Sequence, residues 1–275
     1  MAVPGAVAPG PWRVPDWPAP ARVRALFTLR GQGSGDGASA PPRAFFNLGE
    51  HVGDAPAAVA ANRTRLRQVL GARPVFMNQV HGQQVLALDH ASADGLTADA
   101  AIARQPGLAC TVMVADCLPV LVTDTGGRAV AAVHAGWRGL AGGVLERTLA
   151  SFRAATPDQS AQAAMNIEAN ECMAWLGPCI GAQAFEVGSE VRAAFVATDA
   201  GADACFAARP GGKYLADLPA LARRRLAALG VTRVYGNDGS AAWCTVTQPG
   251  RYFSYRRDER EQGGSGRMAA CIWLS

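Results

Sequence analysis

Apolar residues in this chain fall in short runs bounded by Asp, Gly and Pro, and the densest lie between residues 108 and 139. Residues 108–114 read as a buried strand. After the polar break at Asp116, residues 118–124 and 128–134 read as two more strands joined by a turn at Asp124-Thr125-Gly126-Gly127. Apolar runs closed by Asp and Gly are the signature of a hairpin. If Thr125-Gly126 is a two-residue turn, the numbers of facing residues sum to 251, which sets Cys117 opposite His134. Facing residues of an antiparallel pair share a face, with Cβ atoms about 5 Å apart. A turn shifted by one residue raises the sum to 253 and spoils that pairing. Beyond His134, Leu140, Val144, Leu145, Thr148, Leu149 and Phe152 form an i, i+4 stripe, which predicts a helix fed directly by the second strand.

The rest of the chain is patterned more loosely. Residues 23–29, 74–80, 84–88, 174–176, 232–235 and 268–274 read as strands, and 57–70, 186–197 and 215–229 as helices. In the first helix Val59, Leu66 and Leu70 face inward and Arg63, Arg65 and Arg67 mostly outward. Residues 30–42 form a Gly/Ser/Pro loop, and 94–99 a second loop. Residues 155–171, rich in Ala, Gln and Asn, read as a surface insertion. Six prolines among residues 1–20 predict a disordered tail. No repeat or composition break divides the rest of the chain, so residues 21–275 are expected to be one domain.

Composition narrows the classes. A chain of 275 residues, 49% apolar, can bury one large core or two modest ones. No apolar run reaches 18 residues, which argues against a membrane span. The N-terminus lacks the charged and apolar regions of a signal peptide, so a cytoplasmic location is expected. Seven cysteines without a CxxC argue against a disulfide framework. The net charge of +4 is almost all arginine, with Lys213 the single lysine. These residues are not clustered among aromatics, which disfavours a nucleic-acid surface. Cys117 and His134 could share a metal ion or act as nucleophile and base. His81, at the end of strand 74–80 and followed by Gly82, is either a hydrogen-bonded turn residue or a third ligand. The helix N-terminus after His134 favours anions. His51 and His90 read as surface residues in polar turns.

The blocks Asn78-Gln79-Val80-His81-Gly82, Ala115-Asp116-Cys117-Leu118-Pro119-Val120-Leu121 and Val133-His134-Ala135-Gly136-Trp137-Arg138-Gly139 resemble the three hallmark blocks of the laccase-domain family. That family is also called the polyphenol oxidase or purine nucleoside phosphorylase family. Supporting blocks are Asn47-Leu48-Gly49-Glu50-His51-Val52-Gly53-Asp54, Trp175-Leu176-Gly177-Pro178, Phe185-Glu186-Val187-Gly188 and Phe253-Ser254-Tyr255-Arg256-Arg257-Asp258. The similarity spans about residues 27 to 274. The chain departs from the family in an irregular early loop after Arg30 and a longer, Gly-rich loop at 259–265.

The resemblance implies an α/β (α+β) fold, a single domain with mixed β-sheets packed between helices. It implies a metal site of His81, Cys117 and His134. Three N/S ligands with an open fourth position suit catalytic zinc, which lowers the pKa of bound water to about 7; such a set also accepts copper. The activity implied is phosphorolysis of adenosine, inosine and methylthioadenosine, with some adenosine deamination. Its partners are then a purine nucleoside and phosphate, not nucleic acid or membrane. Cys117, His134 and Asp116 are the catalytic candidates, with Asp99 a second possible proton carrier. Arg30, Asn47 and Arg138 are the candidates for substrate and phosphate. Three alternatives stand beside this reading. One is a metal-free amidase of cell-wall precursors with Cys117 as nucleophile and His134 as base. The second is a copper-dependent phenol oxidase, for which one site's worth of ligands is too few to reduce dioxygen to water. The third is a non-catalytic, metal-stabilised binding protein.

Overall fold

The computed structural model describes residues 9–154 and 167–275. Most of the expected insertion, residues 155–166, therefore lies outside the described residues. The strands are β1 (Trp12–Arg13), β2 (Val23–Thr28), β3 (Arg73–Phe76), β4 (Val85–Leu88), β5 (Ala100–Ala103), β6 (Leu108–Val114), β7 (Leu118–Asp124), β8 (Val130–Ala135), β9 (Cys172–Leu176), β10 (Glu186–Val187), β11 (Phe206–Arg209), β12 (Lys213–Ala216), β13 (Arg233–Gly236) and β14 (Met268–Leu274). The helices are α1 (Pro56–Leu70), α2 (Trp137–Gly142), α3 (Val144–Arg153), α4 (Ser189–Val196), α5 (Leu218–Ala228) and α6 (Tyr255–Gln262).

Two mixed sheets face each other. One runs β1-β2-β14-β6-β3 and the other β13-β9-β7-β8-β5-β4, with a small β10-β12-β11 sheet to the side. Alternation along each strand explains the layering. On β6, Cys110, Val112 and Val114 pack between the sheets against Leu121, Val130 and Ala132. Ala109 and Met113 point the other way, to Leu66 and Leu70 of α1. On the second sheet Val120, Val122 and Val133 turn outward onto Leu145, Leu149 and Phe152 of α3 and onto α4 and α5. The order of layers is helix, sheet, sheet, helices, the mixed α/β arrangement that the resemblance implies. Strands buried on both faces carry unbroken apolar runs, as 108–114 and 118–124 do.

Several expectations change. The hairpin register is Pro119↔His134 and Leu118↔Ala135, so facing numbers sum to 253. That does not separate Cys117 from His134 as expected. Cys117 and Pro119 lie two residues apart and hence on the same face, so the pair meets diagonally. The helix expected after His134 is broken in two at Gly143, whose φ of 98° a continuing helix does not accept. The 215–229 segment begins as β12; its helix starts only after Asp217, whose side chain accepts the Ala220 N–H. Residues 186–197 similarly give a short strand before α4. The strand expected at 74–80 stops at Phe76. The four-residue run of β5 is too short to read from sequence, and α6 lacks an apolar stripe. Its available signal is Ser254, which caps the Arg257 N–H. In the Pro-rich N-terminal segment, expected to be frayed as far as residue 20, Trp12 and Arg13 pair with Thr28 and Phe27.

Candidate metal centre

Strand direction gathers the centre. β3 and β6 are parallel neighbours, so the segments leaving their C-terminal ends carry His81 and Cys117 to one edge of the sheet. In the facing sheet, β8 runs antiparallel to β7 and brings His134 to the beginning of β7, beside Cys117. His81 and Asp116 hold the only positive φ angles among described non-glycine residues, 59° and 86°. Such backbone is uncommon outside glycine and collects at functional sites.

The donor atoms of His81, Cys117 and His134 lie within 4.8 Å of one another. His81 Nε2 is 3.6 Å from Cys117 Sγ, and the two imidazoles meet edge to face with centroids 4.8 Å apart. This spread is a little wider than ligand bonds of about 2.0–2.3 Å around an ion would give. Gly136 leaves the necessary room. A Cβ there would sit 2.8 Å from His81 Cδ2 and 2.9 Å from Cys117 Sγ.

Asp99 organises both histidines. Its Oδ1 accepts from His134 Nδ1 at 2.7 Å and from the His81 N–H at 2.9 Å. Its Oδ2 accepts from the Gly82 N–H at 2.6 Å and the Val80 N–H at 3.2 Å. The Asp99 carbonyl also accepts the His134 N–H. One carboxylate thus fixes the turn that carries His81 and the tautomer that leaves His134 Nε2 facing the cluster. A carboxylate behind a ligating histidine is the usual outer support of a metal site.

The electrostatics suit a cation. Burial pushes the Cys117 thiol up, but the His134 charge and hydrogen bonds from both histidines outweigh it and bring the pKa down to about 6. Burial pulls His134 down, while Cys117 and Asp99 lift it to about 9. A thiolate is the form that binds metal, and this site presents one at neutral pH. Asp99 is likewise opposed by burial, yet the His134 hydrogen bond and the backbone donors hold its carboxyl below the usual range. The donor set, its convergence and the space beside Gly136 fit a mononuclear metal site.

The cluster opens into a pocket of about 740 Å³, within the usual range for small-molecule sites. Asp116 and Arg138 line it, together with the aromatic side chains of Trp137, Phe185 and Tyr255. Asp116 is buried, which raises its pKa against the hydrogen bonds it accepts from Thr245 Oγ1 and the Arg256 N–H. Arg138 is exposed and stacks on Trp137 at the start of the six-residue α2. Arg30 and Asn47 are not among the lining residues. Arg30 donates to the Pro249 and Ala44 carbonyls and lies over Phe253. Asn47 is buried; its Oδ1 accepts from the Gly49 and Arg267 N–H groups. Three lining residues are not among the site candidates of the sequence. His51 reads as surface, Arg63 is expected outside but lies 3.9 Å over the Phe76 ring, and Arg267 sits in no motif. All seven cysteines are free, as expected, and six are buried.

A sequence profile of the family described as "Multi-copper polyphenol oxidoreductase laccase" matches residues 24–275. Among curated proteins, a purine nucleoside phosphorylase of Pseudomonas aeruginosa is 48% identical over 265 residues, covering 96% of this chain and 98% of that protein. The purine nucleoside phosphorylase YfiH of Escherichia coli is 48% identical over 263 residues, covering 95% and 98%. Among solved structures, a Neisseria meningitidis protein of family DUF152 superposes with a TM-score of 0.85 at 44% identity, covering 96% of this chain and 99% of its own.

Proposed function

This chain belongs to the multi-copper polyphenol oxidoreductase laccase family, and from that membership we propose that it is a metal-dependent purine nucleoside phosphorylase. The observation that carries the reading is the convergence of His81, Cys117 and His134 at a nucleoside-sized pocket. Its close relatives are named for that activity. Its substrates are then adenosine, inosine and methylthioadenosine with phosphate, and adenosine deamination is a side activity of the same site.

His81, Cys117 and His134 would hold the ion, which supplies Lewis-acid activation. The remaining work belongs to the chain. Trp137, Phe185 and Tyr255 offer aromatic faces to the flat base. Asp99 holds His134 in register, and Asp116, next to Cys117 in the pocket wall, is the proposed proton carrier. Arg138 adds positive charge at the rim. A dioxygen-reducing oxidase is less well supported, because the described residues contain one three-donor cluster.

One observation favours a second reading. A thiolate beside an imidazolium is the arrangement of a cysteine nucleophile and its base, which suits an amidase. Two variants separate them. If Cys117 is a ligand, Cys117→Ser and His81→Ala each lose bound metal and phosphate-dependent nucleoside cleavage together. A His81→Ala protein that stays active without metal would sink the phosphorylase reading in favour of the nucleophile.

A further inference from the structure

We propose that Arg267, with His51 beside it, forms the anion subsite that receives inorganic phosphate in this pocket; the proposal rests on the phosphorylase reading. The reaction needs such a place. A phosphate oxygen bonds to the ribose C1′ while the C1′–N bond breaks. The electron pair and the proton carried by the phosphate go to the departing base. The dianion must therefore be held within reach of the sugar throughout.

Arg267 is built in as a fixed receptor. It immediately precedes β14, and its backbone is stitched to the 47–49 turn. The Arg267 N–H donates to Asn47 Oδ1 at 2.9 Å, and the Leu48 N–H donates to the Arg267 carbonyl at 3.1 Å. Its stem crosses Gly49, where a Cβ would sit 2.7 Å from Arg267 Cγ. At the guanidinium, Nη1 donates to the Ser265 and Gly266 carbonyls at 3.1 and 3.0 Å. Nε and Nη2 have no hydrogen-bond partner among the described residues, and no carboxylate there lies within ion-pair distance of Arg267. Two adjacent N–H groups on a rigid plane are what a phosphate takes from an arginine.

The other arginines of the pocket are committed or loose. Arg63 is paired with Glu50 at 2.8 Å and donates to the Leu48 carbonyl at 3.0 Å. Arg256 donates to the Glu186 carbonyl at 3.2 Å. Arg138 is exposed, at a helix of only six residues.

The surrounding charges locate the subsite. Arg267 lines the same pocket as His81, Cys117 and His134; burial lowers its pKa, while the negative charges of Cys117, Asp116 and Glu259 raise it. His51 also lines the pocket; burial and then the charges of Arg267 and Arg63 lower its pKa, which sets a neutral imidazole beside the two guanidinium groups. A partly desolvated guanidinium without a counter-ion gains from any anion that enters.

The test is the initial rate of nucleoside cleavage by metal-loaded protein across a range of inorganic phosphate concentrations, for wild type, Arg267→Met and Arg267→Lys. Arg267→Met is expected to raise the phosphate KM by about tenfold or more, since a charge-assisted bond is lost. The nucleoside KM and the bound metal should stay within about twofold. Arg267→Lys, which keeps the charge without the fork, should fall between. A phosphate KM unchanged in Arg267→Met, or a nucleoside KM raised by the same factor, overturns the subsite. If Arg267→Met does not fold, the exposed His51→Gln replaces it: a several-fold rise in phosphate KM supports the subsite and none overturns it. Wild-type cleavage that ignores phosphate is a different failure, that of the phosphorylase reading. The subsite then stands or falls on whether phosphate raises the Tm of wild type more than that of Arg267→Met.

Discussion

Replacing Asp99 by Asn keeps the shape of the residue behind the candidate metal centre and removes its charge. The oxygen of Asn can keep the two contacts now made by Oδ1, to His134 Nδ1 and the His81 N–H. Its NH₂ then takes the place of Oδ2 and confronts the N–H groups of Gly82 and Val80, now bonded at 2.6 and 3.2 Å. Two backbone donors lose their acceptor, at about 1–3 kcal/mol each. A loss of roughly 2–6 kcal/mol follows, and for a chain of this size the Tm should fall by about 4–24 °C. The turn carrying His81 loosens, and His134 loses the anion that favours its ligating orientation. Metal affinity should therefore drop about 10–100-fold, the usual effect of removing such a partner. Competition with a chromogenic chelator measures the affinity, and scanning calorimetry of metal-free protein measures the Tm. Metal affinity within twofold of wild type would refute the claim that Asp99 positions both histidines.

The same cluster sets two further outcomes. In metal-free protein, His134 lifted to about 9 gives stability that is complete below its ordinary 6.5 and lost as pH rises through about 9. Cys117 lowered to about 6 gives stability that is complete above its ordinary 9.0 and lost as pH falls through about 6. Each shift is caused largely by the other charge, so they describe one pair. These opposite slopes cancel between about 6.5 and 9, so the Tm of metal-free protein should be flat across that window, and Cys117→Ala should tilt it; a mutant profile parallel to wild type would contradict this. Gly136→Ala should place its Cβ against His81 and Cys117 and cut bound metal severalfold, with the fold retained by circular dichroism. Full metal occupancy in that variant would mean the close approach is not needed.

Much of the site is legible in the sequence because it lies in short segments with strong local signals. The strands 108–114, 118–124 and 268–274 read directly as unbroken apolar runs, since a strand buried on both faces needs apolar residues at every position. His81, Cys117 and His134 stand out by residue type and by the blocks around them. Contacts between distant segments are not legible. The hairpin register depends on which residues the turn uses, and a sequence does not state this. Asp99 lies in a polar loop and could be any turn carboxylate; only folding places it under His134, 35 residues away, and the 80–82 turn. Arg30 looks like an anion binder in the sequence and is a structural donor to backbone carbonyls in the fold, while Arg267 faces the pocket because Asn47, 220 residues earlier, fixes its backbone. Periodicity reveals which face of an element is buried. It does not reveal which side chains from other elements meet there, because the packing of whole sheets and helices decides that.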